Sequence, residues 1–355
     1  MPEPLRIAYT VEQCWHPVPG GTAIATLEVA RRLVERTDVE LVGVAGRHRR
    51  DPDRPFTPPA GTRRLPLARP WLYETWNRFE WPGVERATGA IDVCHSTTVI
   101  PAATAAPHVV TVHDVAFLDT PERFTAHGVR VMRRGLARCR SADLVLCPSR
   151  STIDGLATQG FDRDRLRLVP WGVEATVITD GDRARIARRY DLPSEFVLFV
   201  GTIEPRKNLG ALAEAVARVG LPLVAAGAAG WGDTGPSTGD VRFLGFVDAD
   251  DLPTLYSLAT VFAYPSLAEG FGLPVAEAMA HGTAVVTSRG TSTEEVAGGA
   301  AVLVEPTDVA SIADGVREAM DRSDQLVALG SARAAELTWD ATVDATVAAY
   351  REVAA

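Results

Sequence analysis

Short runs of valine, isoleucine and leucine alternate with longer helical patterns along nearly the whole chain. Such runs are typical of parallel strands that helices cover on both faces of a sheet, because both sides of each strand are buried. The candidate strands are residues 6–10, 39–45, 91–96, 108–113, 144–148 and 166–170, then 196–201, 222–226, 241–244, 261–265, 284–288 and 301–304. The pattern therefore predicts an α/β fold with two doubly wound sheets.

A chain of 355 residues is too long for one ordinary hydrophobic core, so two sheets imply two domains. The stretch 170–193 has proline, glycine and an arginine-rich helical piece but no convincing strand, which suits a connection between domains. We place the boundary near residue 175, with domains at 1–175 and 176–337. The remaining segment, 338–355, reads as an amphipathic helix that packs on either domain.

The charge pattern excludes some partners. A net charge of -9 argues against nucleic-acid binding, which needs a cationic surface. Residues 1–172 carry 23 arginines against 19 acidic residues, whereas 173–355 carry 13 basic against 26 acidic residues, so only the first half favours an anionic surface. The four cysteines lack CxxC spacing, and there is neither an apolar run of about 18 residues nor a signal-peptide core. We expect a cytoplasmic protein, with peripheral contact at the inner membrane face left open.

Among 36 basic residues the chain has a single lysine, Lys207. It follows Arg206 in a short loop after the first candidate strand of the second half, just before a helix that begins near Asn208. Open α/β sheets bind ligands at this carboxyl end of the strands, and two cations there suit a diphosphate. Taken alone, an Arg-Lys pair is more often a solvated helix start.

A second motif, residues 267–280, follows the strand ending at Pro265. Pro274 near the start of a helix, with glycines before it, predicts a helix N-terminus whose backbone N–H groups at 271–273 bind an anion. Glu269 in the loop and Glu277 on the first turn flank that site, where sugar or ribose hydroxyls could donate to them. A lone motif of this length is more often an ordinary turn.

The first half offers weaker signals. Gly20 and Gly21 lie in a loop between the first strand and a helix predicted at 23–34, with Thr22 as its cap. His113 ends the fourth strand, where a neutral imidazole can exchange hydrogen bonds with a sugar hydroxyl. A histidine bonded to backbone is the commoner case.

Together these elements resemble the family 4 retaining glycosyltransferases, in the order that the family has them. The resemblance is carried by the E-x7-E element from Glu269 to Glu277, the segment 204–208 (EPRKN), the Gly20-Gly21 loop and the His113-Asp114 strand end. It implies the GT-B fold, in which two Rossmann-like domains face a cleft, with 1–175 as the acceptor domain and 176–337 as the nucleotide-sugar donor domain. The terminal helix is similar to one that crosses back to the first domain.

The resemblance also implies roles for single residues. Glu269 would contact hydroxyls of the transferred sugar, and Glu277 the ribose of the donor. The donor diphosphate would lie against Lys207 and the backbone of Phe271, Gly272 and Leu273, with Gly20 and Gly21 closing over it and His113 near the C6 hydroxyl of the sugar. Many members carry arginine where this chain has Thr202. The second phosphate cation is then Arg206.

The expected chemistry needs no metal and no cofactor, because Lys207, Arg206 and a helix N-terminus can stabilise the departing diphosphate. We interpret Asp248-Ala249-Asp250 as the cap of the helix that holds Leu252 and Tyr256 rather than as a metal motif. The resemblance implies retention by attack on the same face of the sugar, assisted by the phosphate oxygen.

EPRKN and residues 292–295 resemble mannosyltransferase members, so the expected donor is GDP-mannose ahead of UDP-sugars. The acceptor is expected to be a glycan or a lipid-linked sugar. Segment 63–81 combines arginine with tryptophan, and Arg130, Arg134 and Arg138 form an i, i+4 stripe, which suits an anionic lipid surface. Leu72, Trp76 and Phe79 also have helical spacing, and a core helix is the preferred interpretation.

Three other functions are alternatives to a glycosyltransferase. A nucleotide-sugar epimerase on a similar fold would need further acid-base residues, and a catalytically silent binding protein would not need Glu269, Glu277 and Lys207 intact. An oxidoreductase lacks the G-x-G-x-x-G fingerprint, since the chain has only the reversed spacing at Gly227, Gly230 and Gly232.

Overall fold

The computed structural model describes residues 3–16, 20–52, 55–228 and 240–355. The rest of the predicted phosphate loop before Gly20, at 17–19, and the glycines at 230 and 232 lie outside these residues. The chain divides into two compact units: unit 1 is Met1–Trp171 with Trp339–Ala355, and unit 2 is Gly172–Thr338.

Unit 1 is a parallel α/β sheet. Its strands are β1 Leu5–Thr10, β2 Val39–Ala45, β3 Thr62–Arg64, β4 Val93–Ser96, β5 His108–Thr111, β6 Leu144–Cys147 and β7 Leu166–Leu168. Within the described residues, they lie in the order β3-β2-β1-β4-β5-β6-β7. Its helices are α1 Gly20–Leu33, α2 Trp71–Phe79, α3 Glu85–Thr88, α4 Ala116–Asp119, α5 Ala126–Cys139, α6 Arg150–Thr158 and, from the distant end of the chain, α14 Trp339–Ala354.

Unit 2 repeats this plan. Its strands are β8 Val197–Val200, β9 Leu223–Ala226, β10 Val241–Gly245, β11 Val261–Tyr264, β12 Val285–Ser288 and β13 Val302–Val304. They are parallel and run in the order β10-β9-β8-β11-β12-β13 where the chain is described. Its helices are α7 Asp180–Arg189, α8 Leu209–Val219, α9 Leu252–Leu258, α10 Leu273–Ala280, α11 Ser292–Ala297, α12 Val309–Asp321 and α13 Ser323–Glu336.

Each sheet has one point where the strand order reverses. In unit 1 it lies between β1 and β4, and in unit 2 between β8 and β11. The loops that leave neighbouring strands at such a point run in opposite directions and open a crevice at the carboxyl ends. A ligand site is therefore expected in each unit at these two strand pairs.

The predicted strands are all present, which confirms the two Rossmann-like sheets. The structure has one further strand, β3, among the described residues. The pattern did not predict it because its three residues, Thr62–Arg64, contain no apolar run. It lies at the edge of the sheet beside β2, where one face is open to water and polar residues are tolerated.

Two predicted helix caps are wrong. Helix α1 begins at Gly20, so Thr22 lies in its first turn, where its carbonyl accepts from the hydroxyl of Thr26. The residue before α9 is Asp251, not the Asp248–Asp250 segment, and its carboxylate binds Arg185, Arg189 and Tyr190 instead of capping the helix.

Helix α2 satisfies the core interpretation of segment 63–81 only in part. Leu72 and Trp76 are buried as predicted, but Phe79 is 72% exposed because the helix ends there and Glu80 turns the chain in a left-handed conformation. The arginine stripe of α5 supports this helix: Arg138 donates to the carbonyl of Trp76, and Arg134 pairs with Glu74.

Candidate functional site

The crevice between β8 and β11 in unit 2 is built around Asn208. Its left-handed backbone, with φ of 60°, ends the short turn Pro205–Lys207 and starts α8. The side-chain amide donates to the carbonyl of Pro265 at 3.2 Å and to that of Pro306 at 2.6 Å. One asparagine thus joins the loops that follow β8, β11 and β13.

The carboxylate of Glu269 lies in this crevice and is held from three sides. Its Oε1 accepts hydrogen bonds from the hydroxyl of Tyr264 at 2.8 Å and of Ser266 at 3.0 Å. The same oxygen pairs with Nη1 of Arg206 at 2.7 Å. Its backbone carbonyl accepts from Ser292, so both ends of the residue are fixed before any ligand binds.

The guanidinium of Arg206 lies between two carboxylates. Nη2 is 2.7 Å from Oε1 of Glu204, while Nη1 reaches Glu269 and also donates to the carbonyl of Ala268 at 2.8 Å. Glu204 is only 3% exposed. Arg206, predicted as the second phosphate cation, is placed here as the group that orients Glu269.

The ammonium of Lys207 has more distant partners. Nζ lies 3.8 Å from Oε1 of Glu204 and 5.9 Å from the centre of the Tyr264 ring. It packs so tightly against the end of β8 that a Cβ on Gly201 would be 2.5 Å from Nζ. Burial lowers the pKa of Lys207, and Glu269 and Glu204 oppose that shift.

Charge balance keeps Glu269 ionised. Burial alone would raise the pKa of this carboxyl, but Arg206 and Lys207 outweigh it and hold the pKa below its usual value. The cluster thus places an ionised carboxylate beside the buried amino group of Lys207. The carboxylate can accept from hydroxyls, and the amino group, when protonated, can stabilise a phosphate oxygen.

Helix α10 begins at the same crevice, with Pro274 in its first turn as predicted. Gly272, with φ of 102°, precedes the helix, and a Cβ there would lie 2.6 Å from Cγ2 of Thr293. The close approach brings the N-terminus of α10 against α11. Helix N-termini stabilise anions through the helix dipole. The anion site predicted at Phe271, Gly272 and Leu273 lies at this N-terminus and stays a prediction.

Glu277 lies in the second turn of α10, not the first, and its hydrogen-bond partner is not one of the groups that hold Glu269. Its Oε2 accepts from the hydroxyl of Tyr256 at 2.7 Å. Burial raises the pKa of Glu277, and the bond from Tyr256 opposes that shift.

The predicted residues of unit 1 also come together. His113 lies just beyond β5 and packs edge-on against Trp171, with ring centroids 5.3 Å apart. A Cβ on Gly21 would lie 3.8 Å from the same tryptophan, and Gly20 starts α1 with φ of 63°. Nε2 of His113 bonds to the carbonyl of Thr97 at 2.7 Å, and burial lowers the pKa of its imidazole.

Sequence reasoning missed the groups that fix the site. Tyr264, Ser266 and Glu204 hold Glu269 and Arg206, and Tyr256 holds Glu277. One signal was present: Tyr264 is the last residue of a strand that is otherwise aliphatic or phenylalanine, where a buried hydroxyl needs a partner.

The described residues offer neither a metal-binding cluster nor a membrane-spanning helix. They contain no group of three or more histidine, cysteine, aspartate or glutamate side chains that could hold a metal ion. No helix among them is both long enough and apolar enough to pass through a bilayer.

Comparison with known proteins agrees with this geometry. Residues 19–177 match the model of "Glycosyltransferase Family 4", and residues 194–322 match that of "Glycosyl transferases group 1". O-antigen chain mannosyltransferase B of Escherichia coli is 33% identical over 265 residues, which cover 68% of this chain and 70% of the relative.

Two further proteins are similar. D-inositol 3-phosphate glycosyltransferase of Mycolicibacterium smegmatis is 34% identical over 209 residues, which cover 53% of this chain and 48% of the relative. The crystal structure of Anabaena HepE in complex with UDP and glucose superposes with a TM-score of 0.73 over 98% of this chain and 100% of that one, at 17% identity. The fold is thus GT-B, and the chain belongs to glycosyltransferase family 4.

Proposed function

We propose that the protein is a retaining glycosyltransferase that moves mannose from a nucleotide-sugar donor, GDP-mannose before UDP-sugars, to a hydroxyl of a cell-envelope glycan or a lipid-linked acceptor. The observation that carries the proposal is the cluster of Glu269, Arg206 and Lys207 at the strand-order reversal of unit 2. The mannosyltransferase name of the E. coli relative supports the choice of sugar.

Each residue has a role in this proposal. Lys207 and the backbone at Phe271–Leu273 stabilise the diphosphate, because a buried ammonium and a helix N-terminus both favour negative charge. Glu269 accepts from hydroxyls of the transferred sugar, and Arg206 orients it. Glu277 accepts from the ribose, His113 contacts the sugar, and Gly20 and Gly21 approach the phosphates.

The bond between C1 of the sugar and the diphosphate oxygen breaks, and the electron pair stays on the departing oxygen. The acceptor oxygen bonds to C1 on the same face, and its proton passes to that phosphate oxygen. No metal and no protein nucleophile take part in this scheme. Lys207 offsets the growing negative charge at the moment when the C1–O bond lengthens.

A donor panel tests the activity. GDP-mannose, UDP-glucose and UDP-galactose are incubated with polyprenol-linked or free oligosaccharide acceptors, with and without EDTA, and nucleotide release and product anomer are measured. We expect release from GDP-mannose, a retained anomer and no effect of EDTA. Loss of transfer with EDTA would contradict the metal-free scheme, and an inverted anomer the retaining one.

The same panel separates the alternatives. An epimerase would convert the donor sugar without releasing nucleotide, and a silent binding protein would bind nucleotide sugar without turnover. Lys207→Met should lower release about 100-fold or more. Arg218→Met, which removes an exposed arginine on α8, should leave it unchanged.

We further propose a peripheral location at the cytoplasmic membrane face. Trp71 and Phe79 are 69% and 72% exposed at the two ends of α2, and Arg78 lies between them. Exposed aromatic rings beside arginine suit an anionic lipid surface. Flotation with phosphatidylglycerol vesicles, compared with phosphatidylcholine vesicles and with Trp71→Ser/Phe79→Ser, tests this; equal recovery in all cases would exclude it.

A further inference from the structure

Unit 1 contains a cavity of about 280 Å³ at its own strand-order reversal. Its wall is formed by the segments that follow the ends of β1, β4 and β5, together with side chains of α2, α4 and α5. The residues that line it include Gln13, Val99, Ile100, His113, Asp114 and Phe117. Among the described residues that line it, none is lysine or arginine.

The side-chain amide of Gln13 has a fixed orientation. The hydroxyl of Thr97 donates to the carbonyl of Thr10, and that of Thr26 donates to the carbonyl of Thr22. Both hydroxyl oxygens must therefore accept from Gln13, so the atom that faces them is the NH₂ group. Gln13 is 4% exposed, and its Oε1 is buried without a hydrogen-bond partner among the described residues.

The imidazole of His113 is also fixed. Its Nε2 lies 2.7 Å from the carbonyl of Thr97, and a carbonyl can only accept, so Nε2 carries the hydrogen. In the neutral ring Nδ1 is then a lone-pair acceptor, and this atom is buried with no partner in the part of the chain that the structure describes. Like Oε1 of Gln13, it belongs to a residue that lines the cavity.

Both unpartnered atoms are acceptors, so they call for a ligand that donates. A buried acceptor without a donor destabilises the structure, because it has lost its hydrogen bonds to water. Hydroxyl groups supply donors, and the apolar side chains of Val99, Ile100 and Phe117 suit the C–H face of a ring. The carboxylate of Asp114 disfavours an anion.

We propose that this cavity binds a neutral, hydroxyl-bearing sugar ring of the acceptor, and that Gln13 is a specificity residue for it. The ring donates a hydroxyl to Oε1 of Gln13, and Nδ1 of His113 is left to a hydroxyl of the transferred sugar. This inference rests on the proposed function and adds a substrate class: a neutral acceptor sugar, unlike the phosphorylated compound in the name of the M. smegmatis relative.

The first experiment compares probes on the full chain by saturation-transfer NMR and competition. Methyl α-mannopyranoside and methyl α-glucopyranoside are the neutral probes, and mannose 6-phosphate and D-inositol 3-phosphate are the anionic probes. We expect a neutral probe to bind and the anionic ones to bind more weakly. Arg69 interacts with Tyr73 in the cavity wall and is the cation that an anion could recruit, so tighter anionic binding would overturn the proposal.

Gln13→Met tests the residue itself. The substitution should raise the dissociation constant of the neutral probe about tenfold, which corresponds to the loss of roughly one hydrogen bond. The matched control is Asn77→Leu, which removes another half-buried amide of unit 1 that does not line the cavity. Binding equal to the unmodified protein in Gln13→Met would overturn the assignment.

A second measurement uses only the unmodified protein, so its result does not depend on whether Gln13→Met folds. Deoxy and deoxyfluoro analogues of the neutral probe are compared at each ring position, because fluorine accepts but cannot donate. We expect at least one position at which both analogues bind about tenfold more weakly. Parent-like binding of every deoxyfluoro analogue would show that the ligand does not donate, against the proposal.

The transferred sugar of the donor is also a hydroxyl-bearing ring, so steady-state kinetics are needed to distinguish it from the acceptor sugar. With Gln13→Met, the KM for the acceptor should rise. The KM for the donor, measured from donor hydrolysis without acceptor, should stay unchanged. A raised KM for donor hydrolysis would assign the cavity to the transferred sugar and overturn the acceptor assignment. If the unmodified protein releases nucleotide but no neutral probe binds, this inference fails and the proposed function stands.

Discussion

Lys207 is constrained in both size and charge. Its Nζ lies 2.5 Å from the place where a Cβ on Gly201 would be, so we expect the larger planar guanidinium of an arginine to clash with the end of β8. An ammonium is a compact point charge, while a guanidinium needs room for a fork of donors. This gives a physical reason for the lysine in a chain whose other basic residues are all arginine.

Substitution of this residue separates charge from shape. Lys207→Met should lower kcat about 100-fold or more, since the loss of one preorganised donor to a developing charge typically costs that much. Lys207→Arg keeps the charge and should still lose at least about tenfold in kcat because of the contact with Gly201. Steady-state nucleotide release measures both; full activity in Lys207→Arg would remove the steric argument.

Glu277 supplies a pH-dependent prediction. Its pKa is raised in the folded protein, so the unfolded chain loses this proton first as the pH rises. The unfolding free energy therefore falls as the pH rises from the ordinary carboxyl range to the raised pKa of Glu277. Glu277→Gln lacks this loss, and its stability relative to the unmodified protein should increase with pH.

Urea unfolding of both proteins between about pH 4 and pH 8 measures the difference. Glu318→Gln, an exposed site on α12, is the control for the loss of a carboxylate. A stability difference that is independent of pH for Glu277→Gln would contradict the burial argument.

At the scale of elements, the loop before α10 depends on close packing with α11. Gly272→Ala introduces a side chain at φ of 102° and 2.6 Å from Cγ2 of Thr293. We expect a loss of about 1–3 kcal/mol in the unfolding free energy and a weaker affinity for the donor nucleotide. Thermal unfolding and nucleotide titration measure the two effects.

Two controls separate the clash from backbone strain. Gly220→Ala also places a side chain at positive φ, 83°, but with no atom within 4 Å, so it should show strain alone. Thr293→Ser removes Cγ2 and keeps the hydroxyl that bonds to Thr287, so Gly272→Ala/Thr293→Ser should recover part of the nucleotide affinity. No recovery would show that the clash is not what weakens binding.

The elements were predictable to the extent that burial leaves a local pattern. Central strands such as β8 and β11 are buried on both faces and are apolar throughout, so each stands out. The edge strand β3 leaves no such pattern. The capping role assigned to Asp248–Asp250 failed because Asp251 is bound by arginines of α7, more than sixty residues earlier, and no local rule reveals such a partner.

The site shows the same limit. The motif residues Glu269, Arg206 and Lys207 were predicted and do lie together, because they follow two neighbouring parallel strands. That Arg206 binds two carboxylates, and that Tyr264 holds Glu269, depends on tertiary contacts that spacing does not encode.

At the scale of the whole molecule, unit 1 includes α14, although the 167 residues of unit 2 separate the helix from the rest of it. Tyr350 is fully buried, and its hydroxyl lies 2.6 Å from Nδ1 of His95 on β4. Burial lowers the pKa of His95 to about 3, so this pair is neutral and depends on packing. Without α14 the sheet loses one of its covering helices.

A fragment experiment tests this dependence. Residues 1–171 alone should lack a cooperative unfolding transition, and a peptide of residues 339–355 should restore it by covering β4 and β5. Circular dichroism during urea titration measures the transition. The peptide with Tyr350→Ala and Val347→Asp is the control, and cooperative unfolding of 1–171 alone would contradict the prediction.

The position of α14 also determines the order in which the ribosome can complete the two units. Domains generally fold in the order of synthesis, N-terminal first. Here α14 is made only after the whole of unit 2, so the sheet of unit 1 lacks this helix while the 167 residues of unit 2 are synthesised. The nascent unit 1 is therefore the part of this chain that we expect to bind chaperones until α14 packs on it.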